Sequence, residues 1–107
     1  MWVVNETAYS KKPQGITVHF YRPSDWEYWD TRIYFYEDND ILMEWPGTLM
    51  NSQMYDNWLT YTIYDIDNPK VIINDSQNKQ IPGVLQEGHL VTRDVWYKDG
   101  IWSTYKP

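Results

Sequence analysis

Short stretches of alternating apolar and polar residues, separated by clusters of turn residues, constrain the fold of this chain more than any other feature. The segment GITVHFYRP predicts a first strand over residues 16–22. In that strand Val18 and Phe20 would face the interior, while His19 and Tyr21 would face the other way. The Pro-Ser-Asp run that follows is typical of a strand end.

Further strands are predicted along the rest of the chain. Residues 31–37 (TRIYFYE) and 58–65 (WLTYTIYD) both alternate, whereas residues 70–75 (KVIIND) form an apolar run suited to a buried strand. Residues 91–105 (VTRDVWYKDGIWSTY) predict two short strands around a Lys-Asp-Gly hairpin turn. No stretch has a helical period, so the pattern indicates an all-β sandwich.

The length of 107 residues supports one domain with one modest core. We expect the sandwich to span residues 16–105, with residues 1–15 as an N-terminal tail or edge strand. The segment NDSQNKQIPG, residues 74–83, is too polar for a core and predicts a loop of the kind that binds polar ligands.

The net charge of −6 and the scattered basic residues argue against nucleic acid and against an anionic membrane as partners. A neutral ligand is compatible with this charge. The chain has no cysteine, which excludes disulfides and a zinc-thiolate site, and no run has the length of a transmembrane helix.

Catalysis and metal binding have little support in the sequence. There are two histidines and no G-x-S-x-G motif, and a domain of this size rarely encloses the carboxylate-lined cleft of a glycosidase. We therefore expect no enzymatic activity and no cofactor. Residues 37–40 (EDND) and 65–67 (DID) are rich in oxygen ligands but lack the EF-hand spacing, so solvated turns are favoured over a surface Ca²⁺ site.

The aromatic content is the strongest functional signal, with 7 Trp and 10 Tyr against 2 Phe. Alternation in strand 31–37 places Tyr34 and Tyr36 on the face opposite Ile33 and Phe35, with their side chains about 7 Å apart. Two such rings could stack on sugar rings, and Trp45 could add a third ring. From the pattern alone, the alternative that another sheet or a loop covers the tyrosines is equally open.

Five fragments decide between these alternatives: ITVHFYRPSDW, IYFYE followed by WPG, WLTYTI, KVIINDSQNKQIPG and WYKDGIW. In this order they resemble carbohydrate-binding module family 26, the starch-binding domains attached to bacterial α-amylases and starch-adhering proteins. The resemblance covers residues 16–102, and family 25 is the nearest relative.

The resemblance implies an immunoglobulin-like antiparallel β-sandwich that binds α-1,4-linked glucan (starch, maltooligosaccharides or glycogen) without catalysis. It also implies a monomeric module of a larger extracellular or cell-surface protein, which it would tether to starch. The alternative is a protein–protein interaction or spacer module of a secreted multidomain protein.

Carried over from the family, the sugar cradle is Tyr34, Tyr36 and Trp45. The polar loop supplies hydrogen-bonding candidates, with Lys79 and Gln80 foremost, followed by Gln77, Asn78 and Asp75. Four tryptophans match positions interpreted as structural: Trp26, Trp58, Trp96 and Trp102. The segment 37–44 departs from the family through its apolar Ile-Leu-Met run, which would shift Trp45 or add a contact to the ligand.

Overall fold

The computed structural model describes residues 15–26, 30–52 and 57–107, and in this part of the chain two β-sheets pack face to face. The tail or edge strand predicted for residues 1–15 lies, apart from Gly15, outside the described residues. None of the described residues is helical, so no helix among them could cross a membrane.

Eleven strands are present in the described residues, and the predicted strands are confirmed to within one or two residues. In chain order they are β1 (Ile16–Tyr21), β2 (Arg32–Glu37), β3 (Asp40–Ile41), β4 (Thr48–Leu49), β5 (Asn51–Ser52), β6 (Trp58–Ile63), β7 (Lys70–Asn74), β8 (Gln80–Ile81), β9 (His89–Leu90), β10 (Val95–Lys98) and β11 (Ile101–Ser103).

The first sheet has five strands in the order β11-β10-β1-β6-β5. Strand β1 lies at its centre, antiparallel to β6 and parallel to β10. The hairpin β10–β11 turns at Asp99 and Gly100, which both have positive φ angles, 51° and 85°, as the Lys-Asp-Gly signal predicts. The β1–β10 pair is the one parallel pairing among the described strands.

The second sheet has six strands, with β2 and β7 paired at its centre. Both β3 and β4 pair with β2, at opposite ends of it, so they form one edge strand that is interrupted by residues 42–47. Likewise β8 and β9 both pair with β7, and residues 82–88 interrupt that edge. These two interruptions let loop residues project from both edges of the central β2–β7 pair.

The core lies between the sheets and consists of inward-facing strand residues, together with Trp26, Met50 and Val91 from the connecting segments. Val18 and Phe20 of β1 are fully buried, and the Phe20 ring contacts the rings of Trp26 and Tyr97. On β6, Leu59 and Ile63 are buried and Tyr61 packs against the core. The β9 and β11 edges are joined by His89, whose ring stacks on Trp102 at a centroid distance of 4.1 Å. The predicted all-β sandwich is thus confirmed.

Candidate functional site

The two strand tyrosines lie on the outer face of the six-stranded sheet. Ile33 and Phe35 are buried beneath them, while Tyr34 and Tyr36 are half-buried. The other sheet therefore does not cover these rings, and loop residues bury them only in part. Their centroids are 6.1 Å apart and their planes are inclined by 42°, so they do not form one flat platform.

Trp45 completes the cradle from the interrupted edge strand. Ile41 pairs with Tyr36 and Thr48 pairs with Ile33, so the intervening residues leave the sheet edge beside Tyr34. The indole of Trp45 meets the Tyr34 ring at a centroid distance of 5.2 Å and an angle of 62°, and it is 52% exposed. We call Tyr34, Tyr36 and Trp45 the aromatic cradle.

In the apolar run before Trp45, only the last residue contributes to the core. Met43 packs against the core and anchors the loop, whereas Ile41 is 77% exposed and Leu42 is exposed as well. The segment before Trp45 is therefore anchored at two points, through β3 and through Met43.

Gly47 brings the loop back against β2. Its φ angle is +103°, and a Cβ atom at this position would lie 2.1 Å from the carbonyl oxygen of Ile33. The Gly47 amide donates a hydrogen bond to the Glu44 carbonyl at 2.8 Å, which closes the turn around Trp45. Only glycine fits this close approach, which lets the chain return to β2 two residues after Trp45.

Two polar side chains hold this loop, and the sequence interpretation did not identify their role. Arg32 donates from Nη1 to the Gly47 carbonyl at 3.0 Å, and Asn74 donates from Nδ2 to the Pro46 carbonyl at 3.0 Å. Arg32 lies two positions before Tyr34 and faces the same way, so strand alternation was the signal that could have identified it.

Ser76 links this support to the polar loop that follows β7. Its hydroxyl accepts a hydrogen bond from Arg32 Nε at 3.1 Å and donates one to the Asp30 carbonyl at 2.6 Å. Its amide donates to Asn74 Oδ1 at 2.9 Å. The Trp45 loop and the polar loop are thus held by one shared network.

Asp75 organises the polar loop from inside. Its side chain is 1% exposed, and its Oδ1 accepts the amide hydrogens of Gln77, Asn78 and Lys79 at 2.9–3.0 Å. Burial alone would raise the pKa of Asp75, but the hydrogen bonds from these amides outweigh it, so the pKa lies below the ordinary value. The prediction that Asp75 contacts a ligand needs correction, because its carboxylate is turned into the loop.

The other four predicted loop residues border one groove beside Trp45, with a volume of about 390 Å³. This loop groove is lined by Trp45, Pro46, Asn74, Ser76, Gln77, Asn78, Lys79, Gln80 and Val84. Gln77 and Asn78 are exposed. Lys79 Nζ donates to the Asp25 carbonyl at 2.9 Å, and Gln80 Nε2 donates to the Pro82 carbonyl at 3.1 Å, so both have protein partners.

A second groove, of about 290 Å³, lies on the other side of the tyrosines. This hairpin groove is lined by Tyr34, Tyr36, Asp38, Asn39, Asp40 and Ile41. The Tyr36 hydroxyl accepts the amide hydrogen of Gly88 at 2.9 Å, which ties the ring to the segment that precedes β9. Lys70, next to Tyr36 on β7, pairs with Glu87 at 2.7 Å, and this hydrogen bond raises the pKa of Lys70 and lowers that of Glu87.

In residues 15–26, 30–52 and 57–107, no three Asp, Glu, His or Cys side chains are grouped closely enough to hold a metal ion. The acidic hairpin at Asp38–Asp40 instead forms the rim of the hairpin groove. The site therefore offers aromatic faces, the amide groups of the polar loop and, on one rim, the carboxylates of Asp38 and Asp40.

Comparison with known proteins identifies the family to which this chain is similar in sequence. A sequence model of starch-binding module 26 (CBM26) matches residues 18–86, which is more than half of the chain. This matched region contains all eight predicted site residues. No curated protein sequence matches at a significant level.

Solved structures with a similar fold come from bacterial amylases. The CBM26 of a Bacillus halodurans amylase, determined in complex with maltose, has a TM-score of 0.73 and 24% identity, with 87% of this chain and 100% of that one covered. A CBM25 of a Bacillus halodurans amylase, in complex with maltotetraose, has a TM-score of 0.67 and 14% identity, with 87% and 98% covered. The CBM25-1 of a Paenibacillus polymyxa β/α-amylase has a TM-score of 0.67 and 12% identity, with 90% and 96% covered. At these identities the matches show the shared sandwich fold.

Proposed function

Because the chain belongs to the starch-binding module 26 family, we propose that it binds α-1,4-linked glucan, without catalysis, in the aromatic cradle. The ligands are starch, maltooligosaccharides and glycogen. The observation that carries the proposal is the inclination of the three rings of the cradle, 42° between the tyrosines and 62° between Tyr34 and Trp45.

Inclined rings suit a curved ligand. An α-1,4-glucan curves along its length, so successive sugars present their apolar faces in different directions. Rings set at angles can contact two or three successive sugars, whereas a coplanar pair would suit a straight β-glucan. Each stacked sugar would bury roughly 60–100 Å² of apolar surface, which contributes about 1.5–2.5 kcal/mol before the costs of ordering.

The two grooves that flank the cradle provide polar contacts. Gln77 and Asn78 are exposed on the loop groove and can bond sugar hydroxyls, and the Asp38–Asp40 hairpin borders the other end. Such hydrogen bonds contribute about 1 kcal/mol each. Together with stacking they support an affinity of about micromolar to sub-millimolar strength.

Weak binding of this kind is useful in a module that is linked to other modules. We propose that the chain acts as a monomeric module of a larger secreted or cell-surface protein, which it holds against starch. Several weak sites on one polypeptide reinforce each other through effective concentration. The amylase modules with the same fold support this context.

The deciding experiment is a Trp45→Ala substitution with maltoheptaose titration by calorimetry. Loss of one stacked contact of about 1.5–2.5 kcal/mol predicts an affinity about 10- to 70-fold weaker. Tyr64→Ala is the matched control, because Tyr64 is 59% exposed and directly follows β6 of the other sheet. This variant should bind maltoheptaose as tightly as the wild type. Retained affinity in the Trp45 variant would rule out the cradle as the site.

Specificity is tested in an affinity gel with starch, glycogen and a soluble β-glucan. Retardation by the first two polysaccharides alone is expected from the inclined rings. The rival function, an interaction or spacer module, predicts no response to any of the three. Equal retardation by the β-glucan would contradict the curvature argument while leaving a carbohydrate function in place.

A further inference from the structure

The outer face of the five-stranded sheet, opposite the aromatic cradle, carries a second group of aromatic side chains. Trp58 and Trp96, both interpreted as structural in the sequence, are half-buried on this face, whereas Trp26 is in the core and Trp102 packs against it. One cross-strand row runs over all five strands: Ser103, Trp96, His19, Thr60 and Asn51. Trp58 lies two positions from Thr60 on β6 and faces the same way.

These rings are held in place by contacts with each other. His19 stacks on Trp96 with a centroid distance of 4.4 Å and an interplanar angle of 4°. Trp58 meets Tyr21 edge to face at 5.1 Å, and Lys98 Nζ lies 4.5 Å from the centre of the Tyr21 ring. Side chains fixed in this way lose little freedom when a ligand binds.

A groove of about 340 Å³ lies between the two groups of rings, with Trp58 on one side and the His19–Trp96 stack on the other. Its polar lining comes from Asn51, Ser52 and Thr60, which are neutral, and from Lys106. We call it the outer groove. No carboxylate is among the described residues that line it, although the chain as a whole carries a net charge of −6.

We propose that the outer groove is a second carbohydrate site, which binds a short stretch of neutral glucan on the face opposite the aromatic cradle. The lining carries the inference: fixed aromatic walls suit the apolar faces of sugars, and amide and hydroxyl groups suit their hydroxyls. That the sugar is an α-glucan rests on the proposed function of the cradle.

The size and charge of the outer groove argue against other ligands. Its volume is at the low end of the roughly 300–1,000 Å³ typical of small-ligand sites, whereas a protein partner would use about 800 Å² of surface on each side. An anionic ligand would find a single cation there among the described lining residues, Lys106. A neutral chain of hydroxylated rings fits the lining best.

Two sites on opposite faces would make the module bivalent. One molecule could then hold two glucan chains, or two distant parts of one chain, and avidity would exceed the affinity of either site.

The test is an NMR titration of the full chain with maltoheptaose, which follows the assigned indole N–H signals. We expect the signals of Trp58 and Trp96 to shift in a saturable way, in addition to Trp45, while those of Trp26 and Trp102 do not move. In a Trp45→Ala variant the Trp58 and Trp96 shifts should persist with an unchanged dissociation constant. Absence of these shifts in the wild type, or their loss in the Trp45 variant, would overturn the proposal.

A second variant blocks the outer groove and leaves the aromatic cradle intact. Asn51 is exposed on the edge strand β5, so Asn51→Arg would fill the outer groove without disturbing the core. It should abolish the Trp58 and Trp96 shifts, leave the Trp45 shift intact and reduce the calorimetric stoichiometry from two to one. Persistent shifts at Trp58 and Trp96 in this variant would overturn the second site. Saturable shifts at these residues with no response at Trp45 would instead disprove the cradle and leave the outer groove standing.

Discussion

Replacing Asp75 by alanine would remove the acceptor around which the polar loop is folded. The Asp75 carboxylate is buried and receives three backbone amides, from Gln77, Asn78 and Lys79. Gln77 and Asn78 are the exposed polar residues of the loop groove. The substitution therefore affects both the stability of the sandwich and the shape of the proposed binding site.

The magnitude follows from the number and type of these bonds. A hydrogen bond to a charged group contributes about 1.5–3 kcal/mol net, but three bonds to one oxygen are not additive, and the loop can open to give some amides to water. We expect Asp75→Ala to lower the free energy of unfolding by about 2–4 kcal/mol, a large part of the roughly 5–15 kcal/mol of a typical domain. Loss of one or two loop hydrogen bonds to the sugar would weaken maltoheptaose binding about 5- to 30-fold.

Urea unfolding followed by tryptophan fluorescence measures the first effect, and calorimetry on the folded variant measures the second. Asp75→Asn is the matched control, since its amide oxygen can still accept the same hydrogens with about half the strength, and its destabilisation should be about half as large. An alanine variant within about 0.5 kcal/mol of the wild type, the range of ordinary surface substitutions, would refute the reasoning.

Three further predictions concern the same face. Gly47→Ala should destabilise the fold and weaken maltoheptaose binding. The control Gly100→Ala, at φ +85° with no atom within 4 Å of the added Cβ, should lower the free energy of unfolding by only about 1–2 kcal/mol and leave binding unchanged. Equal effects of the two variants in unfolding and calorimetry would argue against the close approach of Gly47 to Ile33. Tyr36→Phe leaves the buried Gly88 amide without its acceptor, so the free energy of unfolding measured by denaturation should fall by about 1–2 kcal/mol. The affinity for maltoheptaose should stay within about twofold, because the ring face remains. A large loss of affinity would mean that the hydroxyl contacts the sugar. The pKa of Asp75 is lower in the folded state than in the unfolded state, so its ionised carboxylate stabilises the fold at pH values above the unfolded pKa of about 3.9. This stabilisation is lost as the pH falls through the folded pKa, so below about pH 4 the free energy of unfolding should fall less in Asp75→Asn than in the wild type. An identical pH dependence of stability in the two proteins would contradict the lowered pKa.

Strand positions and facing could be predicted from the sequence because alternation is a local property. The strand that carries Tyr34 and Tyr36 was predicted within one residue, and both tyrosines face away from the core as expected. The rings were expected to be about 7 Å apart and are 6.1 Å apart between centroids. Their inclination could not be predicted, because it depends on side-chain contacts across the sheet.

The angle of Trp45 was beyond prediction for a different reason. It depends on β3 and β4, two strands of two residues each that pair with opposite ends of β2, and on the close approach of Gly47. Elements this short carry no periodicity, so their pairing with β2 decides where they lie. The groove beside Trp58 and Trp96 could not be predicted, because aromatic residues in a strand pattern do not reveal whether a groove lies beside them.

The parallel pairing of β1 with β10 has a consequence for biosynthesis. Strand β1 is the centre of its sheet, yet its neighbour β10 lies 77 residues later in the chain, as in the pair Val18 and Val95. A ribosome therefore produces β1 long before that partner exists, and closing so long a loop is slow. We expect the sandwich to fold only after its last hairpin has emerged, with the edge of β1 open until then to chaperones or to pairing with another nascent chain.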